Sequence, residues 1–137
     1  MCNEQYANNT VCVYRDAFGD GSIFRFAGGD SNYTDHDGFG ADRYSDGDEV
    51  NDTGSSFTNW TDRYVVFYKD ANSQGEPLVC LAPRQSLSET YNPSSPMGTG
   101  DAASSHQLYT YDQFHLLPTV CLQYVKPDGR MIYAYQP

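Results

Sequence analysis

Hydrophobic and polar positions along the chain alternate in short runs, with the period of two that belongs to β-strands rather than helices. The runs are rich in Val, Ile, Phe and Tyr: Val11–Tyr14, Ile23–Phe26, Ser55–Trp60, Tyr64–Tyr68, Pro77–Leu81, Thr119–Val125 and Met131–Tyr135. Gly, Asp, Asn and Pro punctuate the gaps, so many short antiparallel strands are predicted. Only YDQFHLL, Tyr111 to Leu117, carries helical spacing, enough for a turn or two before Pro118. Between the last two runs lies KPDGR. There Pro127 presets φ for a turn and Gly129 accepts positive φ, which predicts a hairpin with a loop of about three to five residues.

The chain also repeats itself. VYRDAFGDGSIFRF and FYKDANSQGEPLVC align without a gap from Tyr14 and Tyr68, matching Arg15 with Lys69, Asp16 with Asp70, Ala17 with Ala71 and Gly21 with Gly75. In each copy a strand ends at a tyrosine, the chain folds over, and a glycine seven residues on admits a backbone that a side chain would obstruct. A second correspondence follows each hairpin. NDTGSS, Asn51 to Ser56, answers to GDAASS, Gly100 to Ser105, keeping Asp52, Ser55 and Ser56 in register with Asp101, Ser104 and Ser105. The order is therefore hairpin, loop, D-x-x-S-S, strand, and then the same again.

Composition narrows the functional classes. A chain of 137 residues is long enough for one domain with a real core. No apolar run reaches the length of a membrane helix, so no membrane insertion is expected. The net charge of −10, with only eight basic residues spread singly, excludes a nucleic-acid partner. Cys2, Cys12, Cys80 and Cys121 show no zinc spacing, and two disulfides in an oxidising compartment fit them better. Of the three possible pairings, Cys2–Cys12 with Cys80–Cys121 is preferred because the first ties down the N-terminal segment. The opening Met-Cys-Asn-Glu-Gln reads as a mature secreted chain preceded by an added Met. Asn8, Asn32, Asn51 and Asn59 each start an N-x-S/T triplet, explained by chance as well as by glycosylation.

Tyr14 and Tyr68 heading hairpins, with a glycine seven residues on and then [ND]-[ND]-x-x-[ST]-S, resemble the βγ-crystallin-like Greek-key domain. NDTGSSFTNWTDRYVVFYKDANSQGEPLVCLAP looks most like its secreted bacterial branch, which includes the proteinase inhibitors related to the actinobacterial metalloproteinase inhibitor. The resemblance covers roughly Val11 to Ser105. It implies an all-β, βγ-crystallin-like double Greek-key sandwich in one domain, residues 1–137. The first key would span about 11–60 and the second about 64–109, with a C-terminal extension, 110–137, carrying the β-hairpin.

The resemblance also implies calcium sites. Ca²⁺ takes six to eight hard oxygens, more than one short loop supplies, but two motifs related by a pseudo-twofold can share them. The Ser55 hydroxyl and Thr53 carbonyl would serve one ion while the Asp52 side chain reaches to the other; Asp101 and Ser104 would play the reciprocal parts. Asn51 opens the first motif, and Gly100 stands at its counterpart. Few formal charges per site imply an affinity of ~10⁻⁴ to 10⁻³ M. Eight of the eighteen acids fall between Asp30 and Asp52, but DHDGFGAD and SDGDE do not match an EF-hand loop and read as a solvated acidic insert.

No HExxH, GxSxG or P-loop is present, and His36, His106 and His115 fall in unrelated contexts as surface or turn residues, so no enzyme is expected. The expected role is binding, as a monomer, to a secreted proteinase or a cell-surface macromolecule. For a proteinase, SLSETYNPSSPMGTG, Ser86 to Gly100, offers an exposed loop shortly after Cys80. Pro93 and Pro96 would stiffen it, and Leu87, Tyr91 or Met97 would fill the partner's pocket. The alternative is an antimicrobial, toxin-like or glycan-binding secreted module without inhibitory activity. There Tyr111, Tyr124, Tyr133 and Tyr135 would form the contact surface.

Overall fold

The computed structural model describes residues 10–14, 23–26, 56–70, 72–87, 104–117 and 121–135. These form β1 (Val11–Tyr14), β2 (Ile23–Phe26), β3 (Ser56–Asn59), β4 (Tyr64–Asp70), β5 (Gln74–Leu81), β6 (Ser86–Leu87), β7 (Ser105–Tyr109), α1 (Tyr111–His115), β8 (Cys121–Val125) and β9 (Met131–Tyr135). One sheet runs β2-β1-β3-β6 and the other β7-β4-β5-β8-β9.

Alternation along the strands builds the core. Val11 and Val13 of β1 join Phe26, Phe57 and Leu87 from the first sheet. They meet Val65, Phe67, Leu78, Val79, Leu81 and Val125 from the second, so the sheets pack face to face. Phe57 and Phe67 bridge them with ring centroids 4.4 Å apart. The intervening residues point the other way. Cys12 and Tyr14 pack with Ile23 and Trp60, while Tyr64, Val66 and Tyr68 form a second cluster with Cys80, Ala82, Phe114, Cys121 and Tyr124. The second sheet is thus covered on both faces.

The two halves match in register. Tyr14 faces Ile23 across the β1–β2 pair and Tyr68 faces Pro77 across β4–β5, each nine positions on. Tyr14 then faces Ser56 across β1–β3, and Tyr68 faces Ser105 across β4–β7. The alignment read from sequence is therefore a physical equivalence: β2-β1-β3 and β5-β4-β7 are two copies of one pattern. In the second copy the register shifts between Phe67 and Tyr68, where Leu78 is the extra residue of a bulge in β5. That lets Leu78 and Val79 both enter the core.

Three features bear on the expectations, and the helix near Tyr111, the hairpin at KPDGR and the Cys80–Cys121 pairing are as expected. First, Ser86 and Leu87, expected in the exposed loop, form β6, which crosses to the first sheet and pairs Leu87 with Phe57. Second, the C-terminal strands are built into the second sheet rather than appended to it. β8 runs parallel to β5 and antiparallel to β9, with Gly129 at φ +86 in the turn between β8 and β9. The Cys80–Cys121 disulfide joins β5 to β8. Cys12 is also disulfide-bonded; Cys2, its expected partner, lies outside the described residues. Third, α1 is a lid. Thr110 Oγ1 accepts from the Gln113 N–H and the Gln113 amide oxygen accepts from the Thr110 N–H, a reciprocal N-terminal cap. The helix seats Phe114, fully buried, against Tyr64 at 4.5 Å and Tyr124 at 5.6 Å.

A buried amide closes one end of the sandwich. Asn59, with no exposed surface, donates from Nδ2 to the carbonyls of Arg63 (2.7 Å), Leu81 (3.3 Å) and Ala82 (3.1 Å). Its Oδ1 accepts from the Thr61 N–H at 2.9 Å and the Thr61 hydroxyl at 2.6 Å. Because this side chain is buried and fully engaged, the Asn59 triplet is not a glycosylation acceptor in the folded chain. Asn8, Asn32 and Asn51 lie outside the described residues.

Gln123 is the opposite case. It is fully buried opposite Val79, yet neither its amide nitrogen nor its oxygen has a hydrogen-bond partner among the described residues. An unmet buried polar group costs about 1–3 kcal/mol. Gln123→Met, which keeps the length and removes the polarity, should therefore raise stability by about 1–3 kcal/mol. It should appear as a higher urea midpoint at unchanged slope. A lowered midpoint would mean that the amide is satisfied in solution.

Candidate functional site

The hairpin headed by Tyr68 is the best-defined part of the predicted motif. Asn72 and Ser73, at its tip between the paired Asp70 and Gln74, both have positive φ (61° and 56°). Asparagine tolerates that region; serine does so less readily, and the fold supplies a brace. The Ser105 hydroxyl accepts from the Ser73 N–H at 3.1 Å and donates to the Asp70 carbonyl at 2.6 Å. Ser73 Oγ in turn donates to the Gln107 amide oxygen at 3.0 Å. The last serine of D-x-x-S-S is therefore a clasp, fully buried, that holds the fold of the preceding hairpin. Its equivalent Ser56 is also buried, opposite Tyr14.

Beside the clasp, Tyr68 and Tyr109 share a hydroxyl–hydroxyl hydrogen bond of 2.6 Å. Burial, with that bond second, pushes the Tyr68 phenol above its ordinary range. Tyr64 shifts up too, mainly through burial, with Tyr111 adding to it. Both phenols are neutral structural groups rather than acids or bases at physiological pH.

Of the predicted calcium ligands, Ser104 alone is described. It precedes β7, and its backbone N–H donates to the Tyr68 carbonyl at 2.9 Å. A serine hydroxyl is a hard oxygen of the kind calcium accepts, and Ser105, next in sequence, faces Tyr68 as Ser56 faces Tyr14. Asn51, Asp52, Thr53, Ser55 and Asp101 lie outside the described residues. Among the described residues, no three His, Cys, Asp or Glu side chains gather as a metal site.

The predicted contact residues divide sharply. Leu87 cannot fill a partner's pocket, because it is 3 % exposed and packs in the inter-sheet core. Tyr91 and Met97 lie outside the described residues. Tyr124 is buried under Phe114, which removes it from any contact surface, and the side chains of Tyr133 and Tyr135 are not described. Tyr111, by contrast, is 63 % exposed and lies against the His115 ring at 4.1 Å, with Leu116 exposed beside it. His106 corrects the surface expectation for the histidines. It is buried in β7, its ring 4.6 Å from that of Phe26 and 5.2 Å from that of Phe67. His115 lies at the helix end, where its Nδ1 is 2.8 Å from the Tyr111 carbonyl. His36 lies outside the described residues.

Comparison with known proteins now bears on this arrangement. The sequence pattern of peptidase inhibitor family I36 matches residues 6–80, more than half of the chain. The chain belongs to that family. The matched stretch takes in β1 to β4 and nearly all of β5, so the first Greek key and the second hairpin carry the family signature. An inhibitor family also settles that the chain is not an enzyme. No curated protein sequence matches the chain.

Among solved structures, one reported under the heading "Evolution of the eye lens beta-gamma-crystallin domain fold" is similar at a TM-score of 0.56 and 18 % identity. It covers 77 % of this chain and 89 % of its own. A βγ-crystallin from Ciona intestinalis gives 0.51 at 19 %, covering 73 % and 99 %. A βγ-crystallin from an archaeon gives 0.50 at 20 %, covering 73 % and 96 %. At these identities the likeness is one of fold, and the fold is that of the βγ-crystallin domain.

The clasp yields a direct test. Ser105→Ala removes the partners of the Ser73 N–H and the Asp70 carbonyl. It should cost about 1–3 kcal/mol and speed amide exchange at Ser73 ahead of the sheet interior. Unchanged exchange at Ser73 would show that the tip holds itself.

Proposed function

We propose that the chain is a secreted, monomeric inhibitor of a proteinase. The observation that carries this reading is the family match across residues 6–80. The architecture supports it, because inhibition favours a surface whose ordering entropy is lost at folding rather than at docking. The Ser105 clasp, the Asn59 amide and the Cys80–Cys121 bond each fix a chain reversal or join two elements. Disulfides support an oxidising, extracellular setting.

The test is inhibition of a panel of secreted metallo- and serine proteinases by the purified chain, with the mode of inhibition read from the dependence on substrate. Inhibition of at least one enzyme at a one-to-one ratio is expected. Failure across both classes would leave the second reading, which the exposed Tyr111 of α1 and Leu116 just after it favour: binding of a glycan or cell-surface partner through an aromatic platform. Retention on cell-wall or chitin polysaccharide would then be the outcome.

Calcium is proposed as a stabiliser, held by the Asp52, Thr53 and Ser55 oxygens of the first motif and by Asp101 and Ser104 of the second. The matching register of Ser56 and Ser105, the last residues of the two D-x-x-S-S segments, supports this. An ion bound by the folded chain alone stabilises it by mass action. At 10 mM calcium and a dissociation constant of ~10⁻⁴ to 10⁻³ M the gain is about 1.4–2.7 kcal/mol. Calorimetry should show a higher melting temperature with calcium than with chelator, and Asp52→Ala should remove most of the difference. Superimposable traces for the unaltered chain would reject the metal.

A further inference from the structure

The triplet Asn59-Trp60-Thr61 is a structural lock and, as N-x-T, also the signal that N-linked glycosylation reads. The fold uses every polar part of it. Asn59 Nδ2 faces three carbonyls, those of Arg63, Leu81 and Ala82, and its Oδ1 accepts from the Thr61 N–H and hydroxyl. The Thr61 hydroxyl accepts in turn from the Arg63 N–H at 3.1 Å. Backbone contacts fix the same residues. The Asn59 N–H donates to the Gln85 carbonyl at 2.8 Å, and the Trp60 N–H to the Thr10 carbonyl at 2.9 Å. This junction needs an amide and a hydroxyl two positions apart, and so does an enzyme that transfers oligosaccharide to asparagine.

Signal and lock compete for the same nitrogen. Transfer breaks the bond between the anomeric carbon and the pyrophosphate of a lipid-linked oligosaccharide and forms a C–N bond to Asn59 Nδ2. The lipid pyrophosphate departs with the electron pair, and one Nδ2 proton is lost. What remains is a secondary amide with one N–H where there were two, so at least one of the three carbonyls loses its donor. A sugar ring would also have to stand where carbonyl oxygens lie 2.7–3.3 Å from the nitrogen. The side chain has no exposed surface, and interiors are packed too closely to admit such a group. Asn59 cannot both carry carbohydrate and close the sandwich.

The order of synthesis decides which comes first. The groups that occupy Asn59 lie later in the chain: Leu81 and Ala82 follow it by 22 and 23 positions, and Gln85 comes after them. The bond that fastens β5 to β8 waits for Cys121, 41 positions beyond Cys80. A chain made from its N-terminus therefore presents the whole triplet before the residues that bury it exist.

We propose that Asn59 is a modification site of the unfolded chain alone, taking its sugar from a lipid-pyrophosphate oligosaccharide, and that carbohydrate there shuts the chain out of its native state. Exclusion is permanent. Hydrolysis of the side-chain amide, which removes such a glycan whole, leaves aspartate at 59, and its carboxylate would set acceptors against three carbonyls. The inference concerns the route of export and stands apart from the inhibitory reading.

The experiment translates the full chain, behind an added export signal, into glycosylation-competent microsomes, alongside Val79→Asp. That substitution puts a carboxylate in the inter-sheet core, where Val79 is fully buried, and leaves the triplet intact. Occupancy of Asn59 is read by glycopeptide mass spectrometry, and folding by resistance to limited proteolysis. Val79→Asp should carry carbohydrate at Asn59. In the unaltered chain any Asn59 glycan should fall in the protease-sensitive fraction, and chain folded before it meets the microsomal enzyme should stay bare there. Protease-resistant chains bearing carbohydrate at Asn59, or modification of the folded chain, would overturn the exclusion. A bare Asn59 in Val79→Asp would overturn the acceptor.

Discussion

One side-chain amide holds the two halves of this molecule together. Asn59 ends the first Greek key, yet its nitrogen serves the carbonyls at the end of β5 and its oxygen orders the link that begins the second key. Backbone groups at such a junction cannot pair within either sheet, because the strands have ended, and burial denies them water. Each would otherwise cost about 1–3 kcal/mol. A residue with both donor and acceptor on a planar head is suited to this position. An aspartate would present acceptors to carbonyls, and a leucine would present nothing.

What the sequence disclosed and what it withheld separate along physical lines. Period-two alternation in Val11–Tyr14, Ile23–Phe26 and Met131–Tyr135 marked strands whose bounds the structure reproduces. The Tyr14/Tyr68 repeat was legible because a folded hairpin constrains several positions at once. β6 was not, for two residues have no period and their pairing with Phe57 is non-local. Leu87 was consequently taken for a loop residue. SHQLY hid β7 for a different reason: its buried positions hold His106 and a clasping serine, polar residues that sequence reading assigns to the surface. Of the ligand set, the D-x-x-S-S spacing gave the clasp position, while Ser104 is the one proposed calcium ligand within the described residues. The parallel contact of β8 with β5 is tertiary, and only the position of Cys121 hinted at it.

The match to the inhibitor family ends at residue 80, within β5, and the remainder explains how that part is finished. The outer face of β4 carries Tyr64, Val66 and Tyr68, an apolar stripe that no other part of the matched strands covers among the described residues. Phe114 from α1 and Tyr124 from β8 close over it, and the Cys80–Cys121 bond anchors the cover to the strand it protects. A large aromatic surface that would otherwise face water becomes a second core.

That cover also determines where charge can be displayed. With β8 tied beside β5, the turn after β8 must emerge beside the turn after β5, which is why Gln85 reaches Pro127. Two basic reversals separated by about forty positions in sequence are thereby made neighbours, and Asn59 adds the third. A braced turn spares the ordering cost at contact. The packing that buries Tyr68 and the surface that presents Arg84 are two consequences of the same strand placement.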